Sequence, residues 1–367
     1  MFFRKAGLPL MQVTLANGEK AAFWNTFYQK VTIENGKEKY FGQIDLNAKS
    51  IIVKEFYQET INKLAEYGAK IIRLDAFAYV AKEAGRKNFF NTPETWDLLE
   101  ELRQYASKKD IELLPEIHSS YLQDTHKELS KKGYLIYDFF LPGLIIDAIE
   151  NSSSEYLAKW AKEIIANNIT SINMLGCHDG IPILDLSGIL DKKRIDKLVA
   201  TIIDRGGIIK DLQGKTNMYY QVNATYFSAL NENIKKLLLA RAIQLFMPGI
   251  PQIWYLDLFA GCNDYSAISG EADHKNINRT NYSKEEVEKI VKQEQFVKQV
   301  KLISFRNKYR VFQTERKQFN IKAESEKLFI EWKIKNCYAK LEANLSDYSF
   351  SILAVSNGNV DFEFIEH

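Results

Sequence analysis

Apolar and polar positions along this chain follow two rhythms, and the change from one to the other marks its elements. Over 50–67 the apolar Ile52, Phe56, Ile61, Leu64 and Ala65 recur near one face at helical spacing, and Gly68 stands where a helix stops. The run Ile71-Ile72-Arg73-Leu74-Asp75 then reads as an apolar strand ending on two charges. A second helix opens at Thr92-Pro93, an N-cap with proline at the first helical position, and carries Trp96, Leu99, Leu102 and Ala106 on a stripe that should be buried. A strand ending in Glu116 follows, then a helix near 121–132, a strand over 134–140, a helix over 154–167 and a strand over 171–177 that leads to His178-Asp179. Helices and apolar strands taking turns at this spacing predict parallel strands joined by crossovers. Carboxylates at successive strand C-termini predict a site on one face of a barrel.

The flanking stretches behave differently. The first fifty residues hold short aromatic and β-branched runs around Asn17-Gly18 and Asn35-Gly36, which predict hairpins and loops instead of a core. The stretch 181–235, with Gly206-Gly207 and Tyr219-Tyr220-Gln221-Val222-Asn223, interrupts the alternation and reads as an excursion forming a lid. A helix over 232–246, a strand over 251–259 and a charged helical region over 283–307 restore it. From about 317 onward, runs such as Ile330, Trp332 and Ile334 alternating with charges predict a small antiparallel β-domain.

Composition narrows the function classes. In 367 residues, 49 basic side chains nearly balance 47 acidic ones, so no strong field exists to draw nucleic acid or an anionic membrane. Cys177, Cys262 and Cys337 are odd in number and widely spaced, which indicates neither a disulfide framework nor a zinc site and fits a reducing compartment. No leader-like segment or long apolar run is present, so a cytoplasmic location is expected.

Three acids stand at predicted strand ends: Asp75, Glu116 and Asp179. Breaking a glycosidic bond with retention needs a carboxylate nucleophile and a protonated carboxylic acid about 5–5.5 Å apart. Arg73 and Asp75, two apart on a strand, share a face, so a buried Arg73 would keep Asp75 ionised for the first role. Glu116 follows the apolar Leu113-Leu114-Pro115, where burial would raise its pKa toward that of a general acid. Asp179 and His178 can hold sugar hydroxyls. An acid taken singly reads better as a helix N-cap or a surface residue after a strand, whereas the three together favour the site.

Arg73-Leu74-Asp75-Ala76, Leu114-Pro115-Glu116-Ile117-His118 and Leu175-Gly176-Cys177-His178-Asp179-Gly180 resemble, in order, three of the four signature regions of the α-amylase superfamily. The run over 73–85, Gln43-Ile44-Asp45, Tyr137-Asp138-Phe139, Tyr220-Gln221-Val222-Asn223, Pro248-Gly249-Ile250-Pro251-Gln252 and Ile277-Asn278-Arg279 are similar to the sucrose phosphorylase branch, over about residues 4–310. The resemblance implies an α/β fold: a partial (β/α)8 TIM barrel, strands four to eight, with an inserted loop subdomain and a small C-terminal antiparallel β-domain. The domains expected are 1–50, from the inserted domain B region; 51–180, barrel strands four to seven; 181–235, the lid subdomain; 236–316, the last strand with helices; and 317–367, the β-domain. It implies Asp75 as nucleophile, Glu116 as acid/base and Asp179 as transition-state stabiliser. Arg73 and His178 would line the glucosyl site, Tyr79 and Gln43 would be further substrate contacts, and Tyr220, Gln221 and Arg279 would lie on loops toward acceptor and phosphate. The glucosyl group would pass to Asp75 and then to phosphate, giving α-glucose 1-phosphate without metal or organic cofactor.

The chain also departs from that pattern. Family members have three earlier barrel strands and a first signature region, and none is found here. Open strand edges are therefore expected, with poor solubility, a homodimer, or a complementing N-terminal fragment as partner. Met218 stands where an aspartate is usual, Thr280 where a histidine is, and Cys177 where a threonine is. Loss of the acidic contact suits a phosphorylated or otherwise anionic acceptor, as in relatives acting on sucrose 6-phosphate or glucosylglycerate. A hydrolase of the same superfamily and an inactive gene fragment are the competing readings.

Overall fold

The computed structural model describes residues 9–27, 29–211, 219–268, 271–313 and 318–367; Met218 lies outside them. Two compact units form, one from Met1–His118 with Asp211–Met218, the other from Ser119–Lys210 with Tyr219–His367.

In the first unit both Asn-Gly pairs make the predicted turns. Strands β1 (Leu10–Thr14) and β2 (Lys20–Trp24) pair antiparallel, as do β3 (Gln29–Glu34) and β4 (Lys37–Gly42). Asn35 and Gly36 both have positive φ, the pattern of a two-residue hairpin loop whose twist matches its strands. Helix α1 (Ile51–Glu66) stops where expected, with Gly68 at φ 85°. Its burial differs from the expectation: only Ile61 is buried, while Ile52 is 72% and Phe56 54% exposed. The outer stripe of α1 is left uncovered by the described residues. Strand β5 (Ile71–Leu74) pairs in parallel with β6 (Glu112–Pro115) across α2 (Glu94–Ser107). Pro93 is the N-cap of α2, one residue later than predicted, and Thr95, Leu98, Leu99, Leu102 and Ala106 form its buried side. Trp96 is only partly buried.

The second unit holds three more parallel strands. Helix α3 (Thr125–Lys131) occupies only the later part of the predicted 121–132 helix. Strand β7 (Ile136–Asp138) ends early because Asp138 accepts the N–H groups of Phe140 and Leu141 and so opens α4 (Leu141–Asn151). After α5 (Glu155–Ala166) comes β8 (Ser171–Asn173). The excursion is structured: β9 (Ile181–Pro182), α6 (Lys192–Asp204), β10 (Ile208–Asp211) and β11 (Tyr219–Asn223), in the sheet order β10-β11-β9. Helices α7 (Tyr226–Ala229) and α8 (Ile234–Phe246) lead to β12 (Ile250–Pro251), which pairs in parallel with β8, giving the order β12-β8-β7. The strand predicted over 251–259 stops after two residues and becomes α9 (Tyr255–Leu258), since a short apolar run does not by itself distinguish strand from buried helix.

Helices α10 (Lys284–Ile290) and α11 (Glu294–Lys308) precede a five-stranded antiparallel sheet in sequential order: β13 (Phe319–Glu324), β14 (Lys327–Ile334), β15 (Cys337–Asn344), β16 (Phe350–Ser356) and β17 (Asn359–Glu366). The Trp332 indole N–H donates to the Phe246 carbonyl at 2.8 Å, at the end of α8, whose residues from Lys236 to Phe246 are all buried. Trp160 at the centre of α5 donates to the fully buried Asp138, whose carboxyl burial pushes up to about 6. No described helix is long and apolar enough to cross a membrane.

Candidate active site

The β5–β6 register sets Leu74 opposite Pro115, so Asp75 and Glu116 follow side by side just past the paired residues. The Glu116 N–H donates to Leu74 O at 3.0 Å and continues the ladder one step. A single guanidinium then holds both acids: Arg73 Nη1 lies 2.7 Å from Asp75 Oδ1 and Nη2 lies 3.0 Å from Glu116 Oε2. Ala76, in the left-handed conformation at φ 47°, directs its N–H onto Glu116 Oε2 at 2.7 Å. His118, two residues along the extended segment and hence on the same side, brings Nε2 to 3.7 Å from Oε1.

Two expectations are corrected here. Arg73 is only partly buried, and the Asp75 side chain is 75% exposed, so Asp75 is an open carboxylate held at one end by Arg73. Glu116 is buried as predicted, but its pKa moves the other way. Burial raises it, and the hydrogen bond and charge of His118, the Ala76 N–H and the charge of Arg73 together outweigh burial and hold the carboxyl at about 2. The resting Glu116 is a carboxylate.

Tyr79 lies in a short 3₁₀ turn, buried edge-on between Phe27 and Phe89. Gln43 is exposed, and its carbonyl accepts from the buried Asn25 side chain at 2.9 Å. Beside them Lys82 is buried against Asp45 at 3.1 Å and donates to the Tyr79 carbonyl; burial lowers its pKa.

The second unit gathers His178, Asp179, Gln221 and Arg279. Asp179 is largely buried among cationic groups: Arg279 Nη2 at 3.5 Å and Lys275 Nζ on Oδ1, with His178 Nε2 at 3.5 Å from Oδ2. Gln221 donates to the Asp179 carbonyl at 2.5 Å, and Arg279 Nε donates to the His178 carbonyl at 2.8 Å. Tyr220 and Gln221 sit on strand β11 and are buried, in place of the loop position expected for them. Burial and the charge of Asp179 push the Cys177 thiol up to about 12, which makes it a packing residue. Sequence reasoning missed Lys275 and His118. The spacing Glu116-Ile117-His118 could have signalled the histidine, whereas nothing local marks a lysine 96 positions from Asp179 as its partner. Among the described residues no group of three or more His, Cys, Asp or Glu side chains is placed to hold a metal ion.

Parallel strands with acids at their ends define the class first. The fold is α/β and similar to that of α-amylases: 98% of the chain superposes on an α-amylase from H. orenii with TM-score 0.55 at 16% identity, and 89% on an Anoxybacillus α-amylase with TM-score 0.52 at 15% identity. No family model matches the chain. Individual relatives are far more similar. A sucrose 6(F)-phosphate phosphorylase of Ilumatobacter coccineus is 46% identical over 98% of this chain and 71% of its own length, and a sucrose phosphorylase of Streptococcus mutans is 33% identical over 96% and 71%. The crystal structure of sucrose 6F-phosphate phosphorylase from Thermoanaerobacter thermosaccharolyticum superposes on the whole chain with TM-score 0.89 at 34% identity, matching 72% of that chain. The chain belongs to the sucrose phosphorylase family of the α-amylase superfamily.

Proposed function

We propose that the chain transfers a glucosyl group, with retention, from sucrose or sucrose 6-phosphate to inorganic phosphate, releasing α-glucose 1-phosphate. The observation that carries this is the single Arg73 guanidinium joined to both Asp75 and Glu116, which keeps nucleophile and acid/base on one face. Asp75 attacks the anomeric carbon while Glu116 protonates the departing fructosyl oxygen. Phosphate then attacks the glucosyl–Asp75 ester, with Glu116 receiving its proton. Because resting Glu116 is ionised, donor binding must loosen Arg73 and His118 from it and bring it its proton. Asp179 takes the transition-state-stabilising role, with Arg73, His178, Tyr79 and Gln43 on the glucosyl side and Tyr220, Gln221 and Arg279 toward acceptor and phosphate.

In this reading β5, β6, β7, β8 and β12 are strands four to eight of a (β/α)8 barrel. Residues 1–50 occupy the place of domain B, 181–235 form the lid, and 317–367 are the C-terminal β-domain. The reaction runs in the cytoplasm. The edge of β5 that is unpaired among the described residues, and the exposed Ile71, Ile52 and Phe56, are where a complementing strand and helix, or a second copy, would add.

The test is phosphate-dependent release of glucose 1-phosphate from either sugar. The chain is assayed alone and co-expressed with a fragment supplying the first three strands, and Asp75→Asn is run beside it. The expected result is release that requires phosphate and falls at least 1,000-fold in the variant. Release of free glucose independent of phosphate would make the chain a hydrolase, and an active Asp75→Asn would remove Asp75 as nucleophile.

A further inference from the structure

The turn that presents Asp179 is held along its backbone by four side chains from elsewhere in its unit. Gly176 N–H donates to Asp257 Oδ2 at 2.8 Å, Cys177 O accepts from Asn278 Nδ2 at 2.7 Å, His178 O from Arg279 Nε and Asp179 O from Gln221 Nε2. Three of these holders come from motifs already singled out. Asp257 does not: it lies on the one-turn helix α9, is 1% exposed, and carries the only carboxylate among the four.

Its fit to Gly176 is specific. A Cβ at position 176 would lie 2.6 Å from Asp257 Oδ1 and 3.2 Å from Oδ2, so the carboxylate fills the space a side chain there would occupy. One oxygen takes the amide, and the other lies flush against the glycine. Behind it, the fully buried Arg241 supplies the compensating charge without direct contact. Arg241 Nε donates to Gln299 Oε1 at 3.0 Å, and Gln299 Nε2 donates to the carbonyls of Asp257 and Leu258. Arg241 also donates to Gln244, which reaches the carbonyls of Asn173 at 3.3 Å and Gln252 at 2.9 Å. The frame therefore fixes the turn where it leaves β8 and again at Gly176. A buried carboxylate is costly to keep, and surrounding structure must hold it in place.

We infer that Asp257, matched to Gly176, is a positioning residue that fixes the Cys177-His178-Asp179 turn and so sets where the Asp179 carboxylate stands. The catalytic consequence rests on the proposed role of Asp179; the positioning itself does not. The two are separated by measuring amide hydrogen exchange and turnover in the same variants. In Asp257→Ala the amides of 176–179 should exchange at least 10-fold faster while β7 and β12 stay protected, and kcat should fall at least 10-fold with KM for phosphate changed less than threefold. Asp257→Asn, which keeps an acceptor oxygen for the Gly176 amide, should restore most of both. Gly176→Ala should repeat the exchange defect in the parent, and lose most of its added effect when combined with Asp257→Ala, because the two share one contact. Unchanged exchange at 176–179 in Asp257→Ala, or equal and additive effects of the two substitutions, would overturn the inference. Faster exchange with unaltered turnover would leave the positioning intact and remove the role given to Asp179.

Discussion

Glu116 supplies the most quantitative test, because burial and its partners pull in opposite directions and the partners win. Its carboxyl drops from an ordinary 4.5 to about 2 in the folded chain. At about 1.36 kcal/mol per pKa unit, the ionised form then adds on the order of 3 kcal/mol to stability at neutral pH. The folded pKa is depressed, so this stabilisation is complete above the unfolded value and is lost as pH falls toward 2. Between pH 5.5 and 3.5, where ordinary carboxylates titrate as well, the loss due to Glu116 itself is on the order of 1 kcal/mol. Glu116→Gln keeps the shape and cannot titrate. The other carboxylates are common to both proteins, so its urea unfolding free energy should fall by on the order of 1 kcal/mol less than the parent's over that interval, with unchanged m-values. Parallel pH curves for the two proteins would mean that His118, Ala76 and Arg73 do not hold the carboxyl as the distances imply. The ionised resting state of Glu116 would then be wrong.

Two further outcomes follow from other parts of the chain. Lys275 and Arg279 set positive charge against Asp179, so kcat/KM for sucrose 6-phosphate should exceed that for sucrose at least 10-fold; a preference for plain sucrose removes the anionic-substrate reading. With α1 as the proposed docking face, Ile52→Glu with Phe56→Glu should lower any self-association of the parent, measured by sedimentation, and should block co-purification of a fragment supplying barrel strands one to three; undisturbed association would show that the α1 stripe is not where a partner docks.

What could be read from the chain alone was whatever depends on neighbours in sequence. The Asn-Gly hairpins, α1 and α5 within a residue at each end, the strand-end acids and the alternating C-terminal strands all rest on local periodicity or turn chemistry. What escaped depends on partners far along the chain. The outer face of α1 has helical spacing, but burial requires something to pack against it, and periodicity carries no information about that. The ionisation of Glu116 depends first on His118, only two residues along, and then on the Ala76 N–H, which reaches it through a left-handed turn after the neighbouring strand that periodicity does not reveal. Lys275 and Asp257 reach the Asp179 turn from 96 and 81 positions away, the first from a stretch to which periodicity assigns no element and the second from one that reads as strand.

The bond from Trp332 to the last turn of α8 bears on how the gene can be divided. From Lys236 to Phe246 every residue of α8 is buried, so removing any part of its cover wets mostly apolar side chains. Cutting between α11 and β13 would strip away the indole that caps the Phe246 carbonyl and uncover the side of α8 that faces β15. The final fifty residues are thus a wall of the larger unit, and recombination with homologues should carry them across together with α8.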